Sequence, residues 1–370
     1  MKVSQLRTPA FLLDLDQLDK NIQEVGALAK AGGKQLWPMV KTHKSTYLAQ
    51  KQAQAGASGF LVGTVDEAES LVAAGLCNIM LAYPYFGEEN IARIAALAAK
   101  GNLYCSVDSL ECAQQYDRIF GEEGLTCQFL LIVDCGLHRL GVPPEGAADL
   151  AAKIARLPNS RLCGIGTHPG HVYACASGEG IRPVYEEEEA ALRTAYDGIT
   201  SAGIPLEIVA TGSTPTMALE SRSSLVTTMR PGNYVFYDAI QMALGVATEE
   251  MCALTVLCTV IAKREDGHII VDCGSKCLGL DKGAHGNVSI VGYGKVIGHP
   301  SLVVESLSEE VGKISVNGDQ SVAIGDRLRI IPNHSCSSAN MTGYLTGVRG
   351  DEVVELIPVD IRGNSRKPGC

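Results

Sequence analysis

The 370 residues are too many for one ordinary core and enough for two domains, or for a barrel of about 250 residues with an appendage. A hydrophobic fraction of 46% beside 19% charged residues describes a well-buried globular chain and excludes a disordered one. The net charge of −10, without any cluster of Lys and Arg, argues against nucleic acid as a partner and towards small molecules.

No segment approaches the roughly 20 unbroken apolar residues of a membrane span, and the opening residues lack the apolar core of a signal peptide. A cytoplasmic protein without membrane contact is therefore expected. Thirteen cysteines, scattered without repeated spacing, argue against a disulfide framework. Most, such as Cys105, Cys127, Cys163 and Cys258, lie in apolar runs and read as small core residues.

From Phe11 to about Tyr234, short β-rich runs alternate with helical stretches. The predicted strands are 36–41, 59–63, 79–82, 103–107, 129–134, 162–167, 207–211 and 226–230. Between them, 66–74, 88–100, 109–119 and 144–157 carry Ala, Leu and Ile at the three-to-four spacing of a one-sided helix. Eight such repeats are the arithmetic of a (β/α)8 TIM barrel, although a doubly wound open sheet shares the local pattern. After Ala247, runs at 253–263, 268–272, 288–297 and 327–331 are separated by Gly, Asn and Asp turns and predict a second, mostly β domain. The expected division is 11–245 and 246–370, with residues 1–10 available to the second part. The acidic run 186–189 reads as the solvated start of the helix after the sixth strand, and the polar tail 364–370 as frayed.

Lys41 closes the first predicted strand and opens the tetrad Lys41-Thr42-His43-Lys44. Side chains at the C-terminal strand ends of a barrel converge on one mouth. An amine held there, partly out of water, is placed to add to an aldehyde, whereas most lone lysines after strands are solvated surface charges. Two Gly-rich segments follow the seventh and eighth strands, Thr211-Gly212-Ser213-Thr214-Pro215-Thr216 and Arg230-Pro231-Gly232-Asn233-Tyr234. Backbone N–H groups and hydroxyls of loops in those positions can surround phosphate oxygens, while tight turns alone would account for each glycine separately. An amine and a phosphate site at one mouth suggest pyridoxal phosphate.

The segment Asp134-Cys135-Gly136-Leu137-His138-Arg139 follows the fifth strand and brings a guanidinium to the same mouth. Arg139 either pairs with Asp134 or faces the cofactor ring, at its oxygen or nitrogen. After the sixth strand, Thr167-His168-Pro169-Gly170-His171-Val172-Tyr173 offers His168, His171 and Tyr173 for acid–base or substrate-orienting roles, or as satisfied structural residues. In the β domain, Pro332-Asn333-His334-Ser335-Cys336 places His334 and Cys336 on one side of an extended segment, where imidazole and thiolate can share one metal ion. Two protein ligands leave positions for water and substrate, as catalytic zinc requires.

Taken together these segments, from Thr8-Pro9-Ala10 to Pro332-Asn333-His334-Ser335-Cys336, resemble the fold-type III pyridoxal-phosphate enzymes over nearly the whole chain. The resemblance is to the D-serine dehydratase and D-threonine aldolase group, whose N-terminal part is related to alanine racemase. It implies that Lys41 is the Schiff-base lysine and that Gly212, Ser213, Thr214, Gly232 and Asn233 line the phosphate cup. It further implies that Arg139 and Tyr173 flank the ring, and that His334 and Cys336 bind a divalent metal. Zn2+ suits the thiolate best, with Mn2+ and Co2+ as alternatives. A head-to-tail homodimer, its sites completed by the neighbour's β domain, is also implied. One departure stands out: Trp37-Pro38-Met39 occupies the place where the family usually has Arg-Pro-His. That bears on substrate preference and leaves the lysine untouched.

The expected activity is that of a lyase on a D-configured β-hydroxy-α-amino acid. Lys41 would remove the α-proton and the metal would help the β-hydroxyl leave, giving a 2-oxo acid and ammonia as in D-serine dehydratase. Members resembling dehydratases tend to use His-x-Cys and D-threonine aldolases His-x-Asp, so Cys336 favours elimination over Cα–Cβ cleavage. The alternatives are a D-threonine aldolase, a 3-hydroxyaspartate aldolase or dehydratase, an amino-acid racemase, which has no use for a metal, and a non-enzymatic pyridoxal-phosphate carrier, which has no need of a β domain.

Overall fold

A computed structural model of the chain describes residues 1–282, 286–287 and 289–363. Strand β1 (Ala10–Asp14) leads into helix α1 (Leu15–Ala31), which starts where the Asp14 carboxylate accepts the Gln17 N–H at 3.0 Å. Eight further strand–helix alternations follow. They run β2 (Gln35–Leu36), α2 (Thr46–Gln54), β3 (Phe60–Val62), α3 (Val65–Ala73), β4 (Asn78–Leu81), α4 (Glu88–Ala98), β5 (Asn102–Val107) and α5 (Leu110–Glu122). They continue with β6 (Cys127–Ile132), α6 (Ala147–Ile154), β7 (Ser160–Gly166), α7 (Ile181–Ser201), β8 (Ile208–Thr211), α8 (Met217–Glu220), β9 (Thr228–Met229) and α9 (Ala239–Ala243). Ser45, Thr64 and Ser109 cap α2, α3 and α5 by accepting a backbone N–H three residues on, which fixes where each helix leaves its strand loop.

The eight strands β2 to β9 are parallel and ordered β2-β9-β8-β7-β6-β5-β4-β3. A parallel bridge between Met39 and Leu61 closes the ring, so the barrel reading holds and the open sheet does not. Because helices cover its outer face and side chains fill its inside, both strand faces are buried and the strands read as nearly continuous apolar runs. The interior holds Trp37, Met39, Leu61, Met80, Leu130 and Ala210.

The second sheet has nine strands in the order β11-β14-β13-β12-β15-β10-β1-β16-β17. After β10 (Leu254–Lys263) and β11 (His268–Val271) come helix α10 (Ser275–Leu278), β12 (Lys295–Val296), β13 (Val303–Leu307), β14 (Gly312–Ser315) and β15 (Arg327–Ile331). Helix α11 (Ser335–Ala339), β16 (Tyr344–Arg349) and β17 (Glu352–Pro358) complete it. Strand β1 lies in this sheet, antiparallel to β10 and parallel to β16, so the stretch beginning at Phe11 pairs outside the barrel. Of the predicted run 288–297, Val288 lies outside the described residues and only Lys295–Val296 is strand; the tail 364–370 also lies outside them. A shared core containing Leu13, Leu18, Tyr234, Phe236, Ile331 and Leu345 joins the two sheets.

Two local expectations change. The first barrel strand is two residues long, because Pro38 has no N–H for the ladder and the chain winds instead into the 3-10 turn Val40–Thr42; Lys41 sits in that turn. The acidic run 186–189 lies inside α7 rather than at a solvated helix start, and Glu188 faces inward at 1% exposure. No helix among the described residues is long and apolar enough to cross a membrane.

Candidate active site

A cavity of about 610 Å3 opens at the C-terminal ends of the barrel strands and is roofed by α11. Its wall contains Lys41, Arg139, His168, Tyr173, Gly212, Ser213, Gly232, Asn233, His334 and Cys336. Two expected residues are not in that wall. Thr214 stands just behind it, where its N–H donates to the Tyr173 hydroxyl (3.3 Å) and its own hydroxyl accepts the Tyr234 N–H (3.1 Å). His171 turns away, with Nε2 3.3 Å from the Glu187 carboxylate on α7.

The β domain reaches Lys41 through α11. Asn340 Nδ2 donates to the Lys41 carbonyl at 3.2 Å, and Cys336 Sγ lies 3.4 Å from the Thr42 hydroxyl. His334 is not part of an extended run through Cys336: it is the N-cap residue of α11 and Cys336 lies in the first turn. That geometry still brings the two side chains into hydrogen-bond contact. Burial alone would depress the imidazole and raise the thiol, but their mutual attraction holds His334 well above and Cys336 below its ordinary value, with Asp281 adding to the effect on His334. Asp281 Oδ2 sits 3.0 Å from His334 Nδ1 and accepts the Ser337 hydroxyl at 2.7 Å. Both members of the pair come from the same chain as Lys41, so this pair does not require a neighbour's β domain.

Arg139 lies exposed at the rim with its guanidinium 5.6 Å from the centre of the Tyr83 ring. It is not the partner of Asp134, whose carboxylate instead takes His138 Nδ1 (2.8 Å) and the N–H groups of Gly136 and His138. His168 donates from Nδ1 to the Gly212 carbonyl (2.8 Å), since a carbonyl only accepts. Its Nε2 therefore carries the lone pair. Burial first, then the nearby Lys41 charge, push its pKa down to about 3, so the ring is neutral.

The cation that sequence reasoning passed over is Arg230. It is 7% exposed, lines the cavity floor, and donates to the carbonyls of Thr167 and Ala210. Its Nε has no protein partner. The available signal was its place at the end of the eighth predicted strand. Lys44, the last residue of the tetrad, is buried at φ +46° and ion-pairs with Glu67 at 2.9 Å. At Trp37-Pro38-Met39 the indole packs edge-on against Tyr104, ring centres 5.7 Å apart, and Met39 lines the cavity.

Residues 13–239 match the family described as alanine racemase, N-terminal domain, and residues 253–348 match a putative serine dehydratase domain. The chain belongs to the fold-type III pyridoxal-phosphate enzymes. Within them it sits in the D-serine dehydratase and D-threonine aldolase group, as an enzyme of the lyase type. It is 34% identical to the D-threo-3-hydroxyaspartate dehydratase of Delftia sp. (strain HT23), over 90% of this chain and 92% of that one. It is 27% identical to the 3-hydroxy-D-aspartate aldolase of Paracoccus denitrificans (strain Pd 1222), over 98% and 94%. A solved D-threo-3-hydroxyaspartate dehydratase variant in the metal-free form superposes with a TM-score of 0.90 at 31% identity, covering 98% of this chain and all of the other.

The cavity of this fold-type III enzyme fits pyridoxal phosphate on its own geometry. A Cβ on Gly212 would stand 2.4 Å from the Arg230 backbone, and one on Gly232 2.9 Å from Met39 Cβ and from the Thr42 hydroxyl. Only glycine leaves the backbone bare there. The N–H groups of Gly212, Gly232 and Asn233 have no protein acceptor among the described residues. For a metal, no group of three or more His, Cys, Asp or Glu side chains converges among the described residues. The candidate donors on α11 are the imidazole of His334 and the sulfur of Cys336.

Proposed function

We propose that this enzyme is a pyridoxal-phosphate- and metal-dependent dehydratase of D-configured β-hydroxy-α-amino acids, with D-serine and D-threo-3-hydroxyaspartate as its first candidate substrates. The observation that supports it most is the His334–Cys336 pair, whose thiol lies 3.4 Å from the hydroxyl of Thr42, next to Lys41. One arm of the site moves a proton and the other receives a hydroxyl.

The cofactor, when bound, supplies an electron sink that makes the substrate Cα–H acidic. A divalent metal on His334 and Cys336 supplies a Lewis acid for the hydroxyl; Zn2+ suits an imidazole–sulfur donor pair. Lys41 holds the cofactor and moves the proton at Cα. The N–H groups of Gly212, Gly232 and Asn233 grip the phosphate, Arg139 at the rim offers its guanidinium to a substrate carboxylate, and neutral His168 presents Nε2 as an acceptor. The balance closes simply: Cα gives up a proton and Cβ a hydroxide, forming water. The resulting enamine tautomerises to an imine, which water then hydrolyses to ammonia and the 2-oxo acid.

The test is incubation of the Zn2+- and cofactor-loaded enzyme with D-serine, D-threonine and D-threo-3-hydroxyaspartate, assaying 2-oxo acid and aldehyde side by side. Oxo acid and ammonia, lost on chelation, are the expected products. Aldehyde with glycine would assign Cα–Cβ cleavage instead.

A further inference from the structure

Behind the Gly212 turn lies a group of buried charges that the chemistry above leaves unused. Glu188 on α7 and Glu220 at the end of α8 are 1% and 0% exposed. Both charges act on the buried Arg230 guanidinium from beyond ion-pair distance. Glu188 bonds to the Thr211 hydroxyl through Oε1. Glu220 Oε1 accepts the Thr216 hydroxyl and the Ser213 N–H, the latter at 3.3 Å. Each carboxyl has its second oxygen buried with no partner, as is Arg230 Nε.

Two carboxylates against one guanidinium would leave a net negative charge in a dry region, and a desolvated charge is costly. One proton restores balance. It resides on Glu188, which burial and the neighbouring Glu220 and Glu189 charges push well above the carboxylate range. Glu220 is then the group that titrates near neutrality: burial pushes it up to about 7, against the pull of its two hydrogen bonds and of Arg230.

Resting on the reading of Gly212 to Thr214 as the phosphate cup, we propose that anchoring the cofactor phosphate there is coupled to uptake of one proton by Glu220. The reason is electrostatic. The Glu220 carboxylate sits on the N–H of Ser213, a cup residue, so a phosphate dianion arriving on that turn meets a like charge across one residue. Protonating Glu220 removes the repulsion and leaves Arg230 as a net cation beneath the cup. The other ionisable groups packed around the pair are Cys135 after β6, His168 and Tyr173 after β7, and Glu189 and Tyr185 on α7, the last pushed up to about 12 by burial. Burial keeps the Cys135 thiol, the Tyr173 hydroxyl and the His168 ring neutral near pH 7, and Glu189 is taken up by Ser223 and Arg193.

The sign follows directly. A group whose pKa rises on binding takes up a proton, so phosphate affinity is full below the free-state pKa and falls as pH rises through it, by up to about tenfold per pH unit. The probe is pyridoxine 5′-phosphate, which carries the phosphate but no aldehyde, titrated calorimetrically into cofactor-free full-length enzyme at pH 7.5 in buffers of low and high ionisation heat. The wild type is expected to take up roughly three-quarters of a proton more than E220Q, the fraction a group titrating near 7 has lost at that pH. Between pH 7 and 8, wild-type affinity is expected to fall several-fold further than that of E220Q, while E188Q keeps the wild-type uptake. The glutamine retains the oxygen that Ser213 and Thr216 need. Should E220Q nevertheless not fold, the wild-type proton count and affinity slope against E188Q still decide. Equal uptake in wild type and E220Q, or uptake that disappears in E188Q alone, overturns the proposal. A failure of the probe to bind at all overturns the phosphate-cup reading first, and this inference with it.

Discussion

Asp281 Oδ2 lies 3.0 Å from His334 Nδ1, which assigns that nitrogen a proton, while the same imidazole is in hydrogen-bond contact with Cys336. A carboxylate behind a metal-binding imidazole fixes its tautomer and orientation. Replacing Asp281 with Asn removes the acceptor charge while keeping the shape. Zn2+ affinity, measured by chelator competition, is expected to fall by about 10–100-fold, with folding unchanged by thermal melt. An affinity that stays at the wild-type value would assign Asp281 a purely structural place.

Lys44 and Glu67 form a buried ion pair at 2.9 Å, and Glu67 also accepts the Gly63 N–H at 2.6 Å. Taking the charge from one side of a buried pair costs about 3–5 kcal/mol, because the other charge loses its compensation. E67Q is expected to lower the denaturant-unfolding free energy by about that amount. The double replacement K44M/E67L should recover a large part of it. If the double variant were no more stable than E67Q, the loss would lie in packing rather than charge.

His43 and His168 are held as neutral rings. His43 Nδ1 accepts the Ser45 N–H at 3.1 Å, so its Nε2–H donates to Gln52 Oε1, also at 3.1 Å. Burial pushes His43 down to about 4 and His168 to about 3, whereas an unfolded histidine titrates near 6.5. Below about pH 6.5 the unfolded chain therefore binds more protons than the folded one, and stability falls as pH falls. Each ring contributes a slope of up to about 1.4 kcal/mol per pH unit between roughly pH 4 and 6.5. Urea unfolding of H43Q across that range should show a shallower slope than the wild type. A steeper one would mean that His43 is charged in the fold.

At Gly212 the atoms facing an added Cβ are backbone atoms of Arg230, 2.4–2.7 Å away, which cannot rotate aside. G212A is expected to shift the cup and to weaken cofactor binding by about tenfold or more, in line with roughly 1–3 kcal/mol of overpacking. Gly146, with open space where its Cβ would be, is the matched control. Absorbance titration with pyridoxal phosphate reads both variants, and equal losses would show that position in the cup is irrelevant.

The barrel was legible because its strands are buried on both faces: apolar runs such as Phe129 to Leu131 and the one-sided helices between them repeat eight times. Strand ends mark the mouth, which is why Lys41, His168, Gly212 and Gly232 could be named from position alone. What escaped is non-local. Nothing near Phe11 says that its partners lie at Val256 and, one residue on, at Thr346. Glu188 belongs to an acidic run whose neighbours are solvated, and only the pitch of α7 turns that one carboxyl inward. Asp281 lies 53 residues from His334; its role exists only once α10 and α11 pack together.

Strand β1 has a consequence for biosynthesis. It is made before the barrel strands, whereas its two hydrogen-bonded neighbours, 254–263 and 344–349, are made after them. The eight-fold ring can coalesce while translation continues, but the sheet that carries α11 stays open until residues 344–349 have been made, since pairings so distant along the chain form slowly. During that interval the amine-bearing half is shaped before the imidazole and thiol are delivered to it.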